Sequence, residues 1–388
     1  MLRFFSRPPT WPLALSLAAA AVLGACTDQA DPTEPQHAAV EQAVATQQTE
    51  VGLSEFPPEW YWADGYLSTY NEDAPVLVPS AHYVFNRAAE VGGVPITVTK
   101  PAGTTGQYVA TFPGLSSYLG SPSTVHVSGF WSITDGHCKP MSASLVRDKV
   151  EVRCFDVSSG LPTNSEISVL VNRAAENRAF AYAHREKDPS YSPSAKGSWN
   201  PAGTTTVTRS GVGQYRVTFS NLASRLQNNV GSNVQVNAVG AGNAYCNVQN
   251  WTTTGTPNVS VDVRCYSLPT GAAVDQQFNV LVVLGWAEHV GYLWDDQPTL
   301  ASYYPSHTNQ SSAGPGAIEV TRVGVGAYWV TWRFADGHIL GDGNAQVTAY
   351  GSNSVCKIGG AATSIVDVRC FAPNGEPADS RFMVLFGS

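Results

Sequence analysis

Long apolar runs are missing from this chain. The longest, residues 11–23, is too short to cross a bilayer as a helix, which takes about 20 residues. Charge is scarce as well. Asp, Glu, Lys and Arg make up 13% of the residues, the formal net charge is −8, and no Lys/Arg cluster stands out. That argues against nucleic acid as a partner, because its binders usually carry a basic footprint. Catalytic signatures are absent: there is no Gly-x-Ser-x-Gly elbow, no His-Glu-x-x-His and no P-loop. No Cys-x₂₋₄-Cys spacing suggests zinc. No metal and no cofactor is therefore expected. After residue 58 no long stretch has helical spacing.

What is present is repetition, which has to be found before a fold is assigned. "VEVRCFDVSSG" (150–160), "VDVRCYSLPTG" (261–271) and "VDVRCFAPNG" (366–375) are versions of one phrase. "GQYVATF", "GQYRVTF" and "GAYWVTW" are another, and their Tyr108, Tyr215 and Tyr328 lie 107 and 113 residues apart. Each copy closes on an apolar run: "ISVLV", "FNVLVV" or "FMVLF". The copies are placed at 59–173, 174–285 and 286–388. Within them apolar residues alternate with polar ones at period two, the mark of half-buried strands. In residues 259–266, Val259, Val261, Val263 and Cys265 share one face and Ser260, Asp262, Arg264 and Tyr266 the other. About seven short strands per copy, separated by Gly, Pro, Asn and Ser, predict an all-β chain of three tandem β-sandwiches, jelly-roll or Ig-like. The competing architecture is a propeller with two blades per copy. The Gly-x-Gly of "GVGQYR" and "GVGVGAY" precedes strands, so it reads as hairpin turns rather than a phosphate loop.

Six cysteines divide two to a copy: Cys138 and Cys154, Cys246 and Cys265, Cys356 and Cys370. Six allow 15 pairings, but the repeat selects one, a clip inside each copy between neighbouring strands. The same strands carry Glu151/Arg153, Asp262/Arg264 and Asp367/Arg369 on the face opposite the cysteine. Either these charges fix strand register with acidic neighbours, or they form three sites for an anionic group. Asn164, Asp275 and Asp379 each follow the closing glycine by four residues.

The seventh cysteine ends the apolar run. Arg3 and Arg7 precede that run, and "LGAC" (23–26) follows. This resembles the lipobox of bacterial lipoproteins. The resemblance implies a signal peptide over 1–25, lipid on Cys26, export, and an anchored product in the cell envelope. Thr27 in the next position points by the same analogy to the outer membrane. Residues 26–58 are polar, with no aromatic before Phe56, and read as a disordered tether. In the body of the chain, the Gly-x-Tyr-x-Val-x-Phe strand and the closing Phe-x-Val-Leu strand resemble C1q/TNF-type jelly-roll modules. That resemblance implies three copies arranged as a pseudo-trimer within one chain.

Candidate functional residues are few. Trp60, Trp62 and Tyr66 open the first copy, and Trp286, Tyr292 and Trp294 the third. Alternation cannot bury them all, so they are candidate stacking rings for a ligand. The competing reading has them filling the junctions between copies. Asp135-Gly-His137 and Asp336-Gly-His338 are catalytic candidates or turns. Asp295 and Asp296 could bind calcium or sit in a solvated loop. The expected function is a lipid-anchored surface protein that binds a polysaccharide or a surface protein, with the membrane reached through its lipid, and the expectation leans against an enzyme. The alternative is an extracellular hydrolase with its site in one copy.

Overall fold

The computed structural model describes residues 63–69, 73–79, 84–88, 94–120, 122–131, 135–226, 232–253, 256–284, 290–306, 310–311, 317–333, 343–362 and 364–387. All lie in one compact unit, Pro57–Ser388. The first copy runs through β1 (Gly65–Ser68), β2 (Val76–Leu77), β3 (Val84–Asn86), β4 (Thr97–Thr99), β5 (Gln107–Thr111), β6 (Ser123–Phe130), β7 (Gly136–Pro140), β8 (Lys149–Asp156) and β9 (Glu166–Arg173). The second has β10 (Arg178–Ala183), β11 (Ser190–Tyr191), β12 (Ser198–Trp199), β13 (Thr205–Gly211), β14 (Gln214–Phe219), β15 (Ser232–Ala238), β16 (Ala244–Thr252), β17 (Val259–Ser267), β18 (Ala272–Ala273) and β19 (Phe278–Leu284). The third has β20 (Val290–Asp295), β21 (Ser302–Tyr303), β22 (Gln310–Ser311), β23 (Ala317–Gly324), β24 (Ala327–Arg333), β25 (Asn344–Tyr350), β26 (Val355–Ala362), β27 (Ile365–Phe371) and β28 (Arg381–Gly387).

Each copy is a sandwich of two antiparallel sheets. The outer sheets have the orders β2-β4-β5-β8-β7, β11-β13-β14-β17-β16 and β21-β23-β24-β27-β26. The inner sheets have the orders β3-β1-β9-β6, β12-β10-β19-β15 and β22-β20-β28-β25. A separate apolar core lies between the two sheets of each copy. Facing sheets around a core are sandwiches, not propeller blades. Within each outer sheet, β4-β5-β8-β7 and its counterparts repeat the A-B-E-D order of an immunoglobulin-type sandwich, and β6 and β9 take the places of C and F. The place of G is filled by the copy's first strand, β1, β10 or β20.

Outer strands alternate because only one of their faces is covered. In β8, Val150, Val152 and Cys154 are buried while Glu151 is exposed. The strands β6, β15 and β25 are buried throughout, and so are β19 and nearly all of β9 and β28. One face of each meets its own outer sheet, and the other meets the neighbouring copies. This explains why the closing strands read as continuous apolar runs while the VRC strands alternate.

The copies join in a closed cycle. The backbone N–H of Val127 donates to Asn237 Oδ1 (2.6 Å), that of Val236 to Thr348 Oγ1 (3.1 Å), and that of Val347 to Ser128 Oγ (3.2 Å). Ser128, Asn237 and Thr348 hold the same position in β6, β15 and β25, so the first copy binds the second, the second the third and the third the first. The axis between them is apolar at one level. Tyr66, Phe180 and Tyr292 pack there with Leu170, Leu281 and Leu385, again equivalent positions. The closing glycines of the VRC phrase complete each seam. A Cβ on Gly160, Gly271 or Gly375 would collide with Asn243, Asn353 or Asp135 of the next copy, and all three glycines have positive φ.

Candidate ligand-binding face

The cysteines pair as the repeat arithmetic requires. Cys138–Cys154, Cys246–Cys265 and Cys356–Cys370 are disulfides between residues directly opposite each other on β7/β8, β16/β17 and β26/β27. Their Cα separations, 4.1, 4.0 and 4.1 Å, are those of close, non-hydrogen-bonded cross-strand pairs.

Several predicted site residues turn out to be scaffold. Tyr66 and Tyr292 are 7% and 2% exposed in the axial cluster, so their rings cannot stack on an external ligand. Trp294 is half-buried against the second copy's core, 5.0 Å from the Tyr350 ring. These three fill junctions between copies. Trp60, Trp62, Trp286, His338 and Cys26 lie outside the described residues. Asp135 accepts from the Ser158 N–H (3.1 Å) and stands where Asn243 and Asn353 stand in the other copies, so its place in the seam accounts for it. His137 packs edge-on against Tyr245, and burial drives its pKa down to about 3. Asp295 is fully buried rather than solvated. Its Oδ1 accepts from the Tyr303 hydroxyl and the Gln297 N–H, and burial raises its pKa to about 7.

The acids after the closing glycine do not serve the VRC arginines. Asp275 takes a bidentate pair from Arg209 (2.9 and 2.8 Å), the Gly213 N–H and the Tyr215 hydroxyl. Asp379 does the same for Arg322, Gly326 and Tyr328. In the first copy Asn164 accepts from the Gly106 N–H, and its amide donates to Asp73, which also pairs with Lys100. The missing charge is thus supplied from β1–β2 connecting chain. Gly106, Gly213 and Gly326 have φ of +64°, +63° and +65°, and a Cβ on any of them would overlap a cysteine carbonyl oxygen. These locks tie each hairpin to the following turn and account for the repeated Gly-x-Tyr phrase.

What remains on the surface is unequal between copies. On the outward face of the third copy, cross-strand neighbours form the row Gly360, Asp367, Trp329, Thr321, Ser302. Trp329 is 45% exposed, whereas its counterparts are Val109 and Arg216. At the end of the row the ring of Trp131, from the first copy, lies over Gly360 and is 38% exposed. Trp131 has φ +54° at the position where the other copies have Gly240 and Gly351. Those two glycines donate their N–H to Pro140 (3.0 Å) and Val248 (2.9 Å) of the preceding copy, and the second of these bonds makes β16 and β25 parallel neighbours. A bulky residue in the left-handed region is strained by about 1 kcal/mol or more, and such strain concentrates at functional sites. With strands about 4.8 Å apart, Gly360 and Trp329 are about 10 Å apart. Between the two indoles Arg369 donates to Asp367 Oδ2 (2.7 Å). Burial pushes the Asp367 carboxyl up, against the pull of Arg369. Tyr304, 57% exposed, and Ser302 extend the face through hydrogen bonds to Glu319.

Sequence reasoning passed over Trp131 and Trp329. The signal was there in the comparison of copies, as a tryptophan where the others have glycine and an outward tryptophan where they have valine and arginine. No family model, curated protein or solved structure matches this chain.

Proposed function

We propose that this protein is an exported, lipid-anchored surface module that binds a neutral polysaccharide on the outward face of its third copy. The observation that carries the reading is the pair of exposed indoles, Trp131 and Trp329, flanking the Asp367–Arg369 pair. Flat apolar rings suit the C–H faces of hexose units, and a fixed carboxylate and guanidinium suit their hydroxyls. Trp131 reaches across the seam from the first copy while Trp329 stands on the third copy's own sheet, so the pair exists only when the cycle is closed. Because Val109 and Arg216 replace Trp329 elsewhere, the reading is one site per chain rather than a threefold array. The lipobox and polar tether supply the anchoring half of the proposal.

Binding is tested by titrating soluble and insoluble glucans, xylans and mannans while following tryptophan fluorescence. Trp329→Ala should weaken binding by about 2 kcal/mol, roughly thirtyfold. Equal affinity of Trp329→Ala and Trp131→Gly with the parent protein would defeat the proposal. The anchor is tested separately. Cys26→Ser should move the protein from the membrane fraction to the soluble one and abolish incorporation of labelled fatty acid.

A further inference from the structure

The outer face of the first copy carries a different feature. A cavity of about 180 Å³ opens there, lined by Pro101, Gln107, Val109, Met141, Glu151 and Arg153 among others. Glu151 and Arg153 are the first copy's version of the repeated charge pair. In the second copy Asp262 is closed by Arg216, at 2.7 and 3.0 Å. In the third, Asp367 is closed by Arg369. In the first, the residues opposite on β5 are Val109 and Gln107, which carry no charge, and on β7 Arg153 faces a like charge, Lys139, whose Nζ donates to the Ala244 carbonyl (3.0 Å). Among the described residues neither the Glu151 carboxylate nor the Arg153 guanidinium makes a side-chain hydrogen bond or ion pair, although the Glu151 backbone carbonyl accepts from the Met141 N–H (2.8 Å). Both project from β8 on the same face, two residues and so about 7 Å apart along the strand. The acid of the motif is therefore paired with a guanidinium in two copies and left without one in the first, beside the cavity.

We infer that this cavity binds a small zwitterion of α-amino-acid type. Arg153 would hold the carboxylate, with the geometry that favours guanidinium–carboxylate pairs, and Glu151 the ammonium. Gln107 adds an amide to the polar end. Val109, Met141 and Pro101 provide an apolar wall for a side chain of leucine size. The opposite charges sit on one rigid strand of a disulfide-clipped hairpin, so little ordering is needed when the ligand enters.

The experiment is calorimetric titration of the purified full-length protein with L-leucine, isocaproate and isoamylamine. These share one carbon skeleton and carry both charges, only the carboxylate, or only the amine. L-leucine should bind saturably, and each single-charge analogue at least about tenfold more weakly. Arg153→Gln and Glu151→Gln should each weaken leucine binding by about tenfold or more, with melting temperatures unchanged as a check on folding. Asp262→Asn, which alters the closed pair of the second copy, should leave it as it was. Absence of leucine binding, binding of isocaproate as tight as that of leucine, or leucine binding that survives the Arg153→Gln/Glu151→Gln double substitution would each overturn the assignment.

Discussion

His126 offers a quantitative test of the closed ring. It occupies the position in β6 that Gln235 and Gln346 hold in β15 and β25, and it is 1% exposed. Its Nε2 lies 3.5 Å from Thr124 Oγ1, and its Nδ1 has no hydrogen-bond partner. Burial drives its pKa from 6.5 to about 3. Between those values the unfolded chain takes up a proton that the folded chain refuses, so stability is lost as pH falls below 6.5. The loss from this one residue is about 2 kcal/mol at pH 5 and about 4 kcal/mol at pH 3. For a cooperative unit of this size, 2 kcal/mol corresponds to about 3 °C in melting temperature. His126→Gln installs the side chain that the other two copies already accommodate at this level of the ring. Thermal melts of both proteins at pH 7.5 and pH 5 isolate the effect, because every other titrating group is common to the two. The variant should lose about 3 °C less than the parent on acidification. An identical acid shift in both would mean that the imidazole is hydrated or protonated in the folded ring, and the reasoning from burial would fail.

Asp295 should behave with the opposite sign. Its pKa is raised to about 7, so its contribution is intact below the carboxylate range and lost as pH rises through 7. Asp295→Asn should therefore gain stability relative to the parent between pH 4 and pH 8, as read by chemical denaturation across that range. Gly106→Ala should cost about 2 kcal/mol or more in the same assay, because it combines a left-handed φ with a Cβ against the Cys154 carbonyl. Replacing Cys246 and Cys265 together by serine should cost about 3 kcal/mol, given a separation of 19 residues, and mass spectrometry without reductant should find no free thiol among the six paired cysteines of the parent. Asn164→Asp alone should destabilise the first copy by setting two carboxylates together, since its amide now donates to Asp73 (2.9 Å). Adding Asp73→Asn should recover the loss, and a double-mutant cycle measures the coupling.

The strands, their inward faces and the three disulfides were legible in the sequence because they depend on short-range rules. Period-two alternation marks which side of β8, β17 or β27 is covered, and two cysteines per copy leave one pairing that respects the repeat. The positive-φ glycines of the Gly-x-Tyr hairpins were legible for the same reason. Other features depended on which surfaces meet. Ser128, Asn237 and Thr348 look like ordinary polar strand residues until the inner sheets converge and each becomes the acceptor for the next copy's backbone. Tyr66 and Tyr292 look like binding aromatics until the axis encloses them. Asp275 and Asp379 sit near the VRC arginines in sequence, yet the turn carries them to Arg209 and Arg322. The candidate sites lie at this second level too. A tryptophan from the first copy and one from the third form one face only through closure of the cycle, and the open Glu151–Arg153 pair is recognisable only beside its two closed counterparts. By itself the sequence determined a thrice-repeated, disulfide-clipped β-sandwich. The tertiary structure decided how the sandwiches close on one another, because residues far apart in the chain acquire their burial and their partners only when the inner sheets come together.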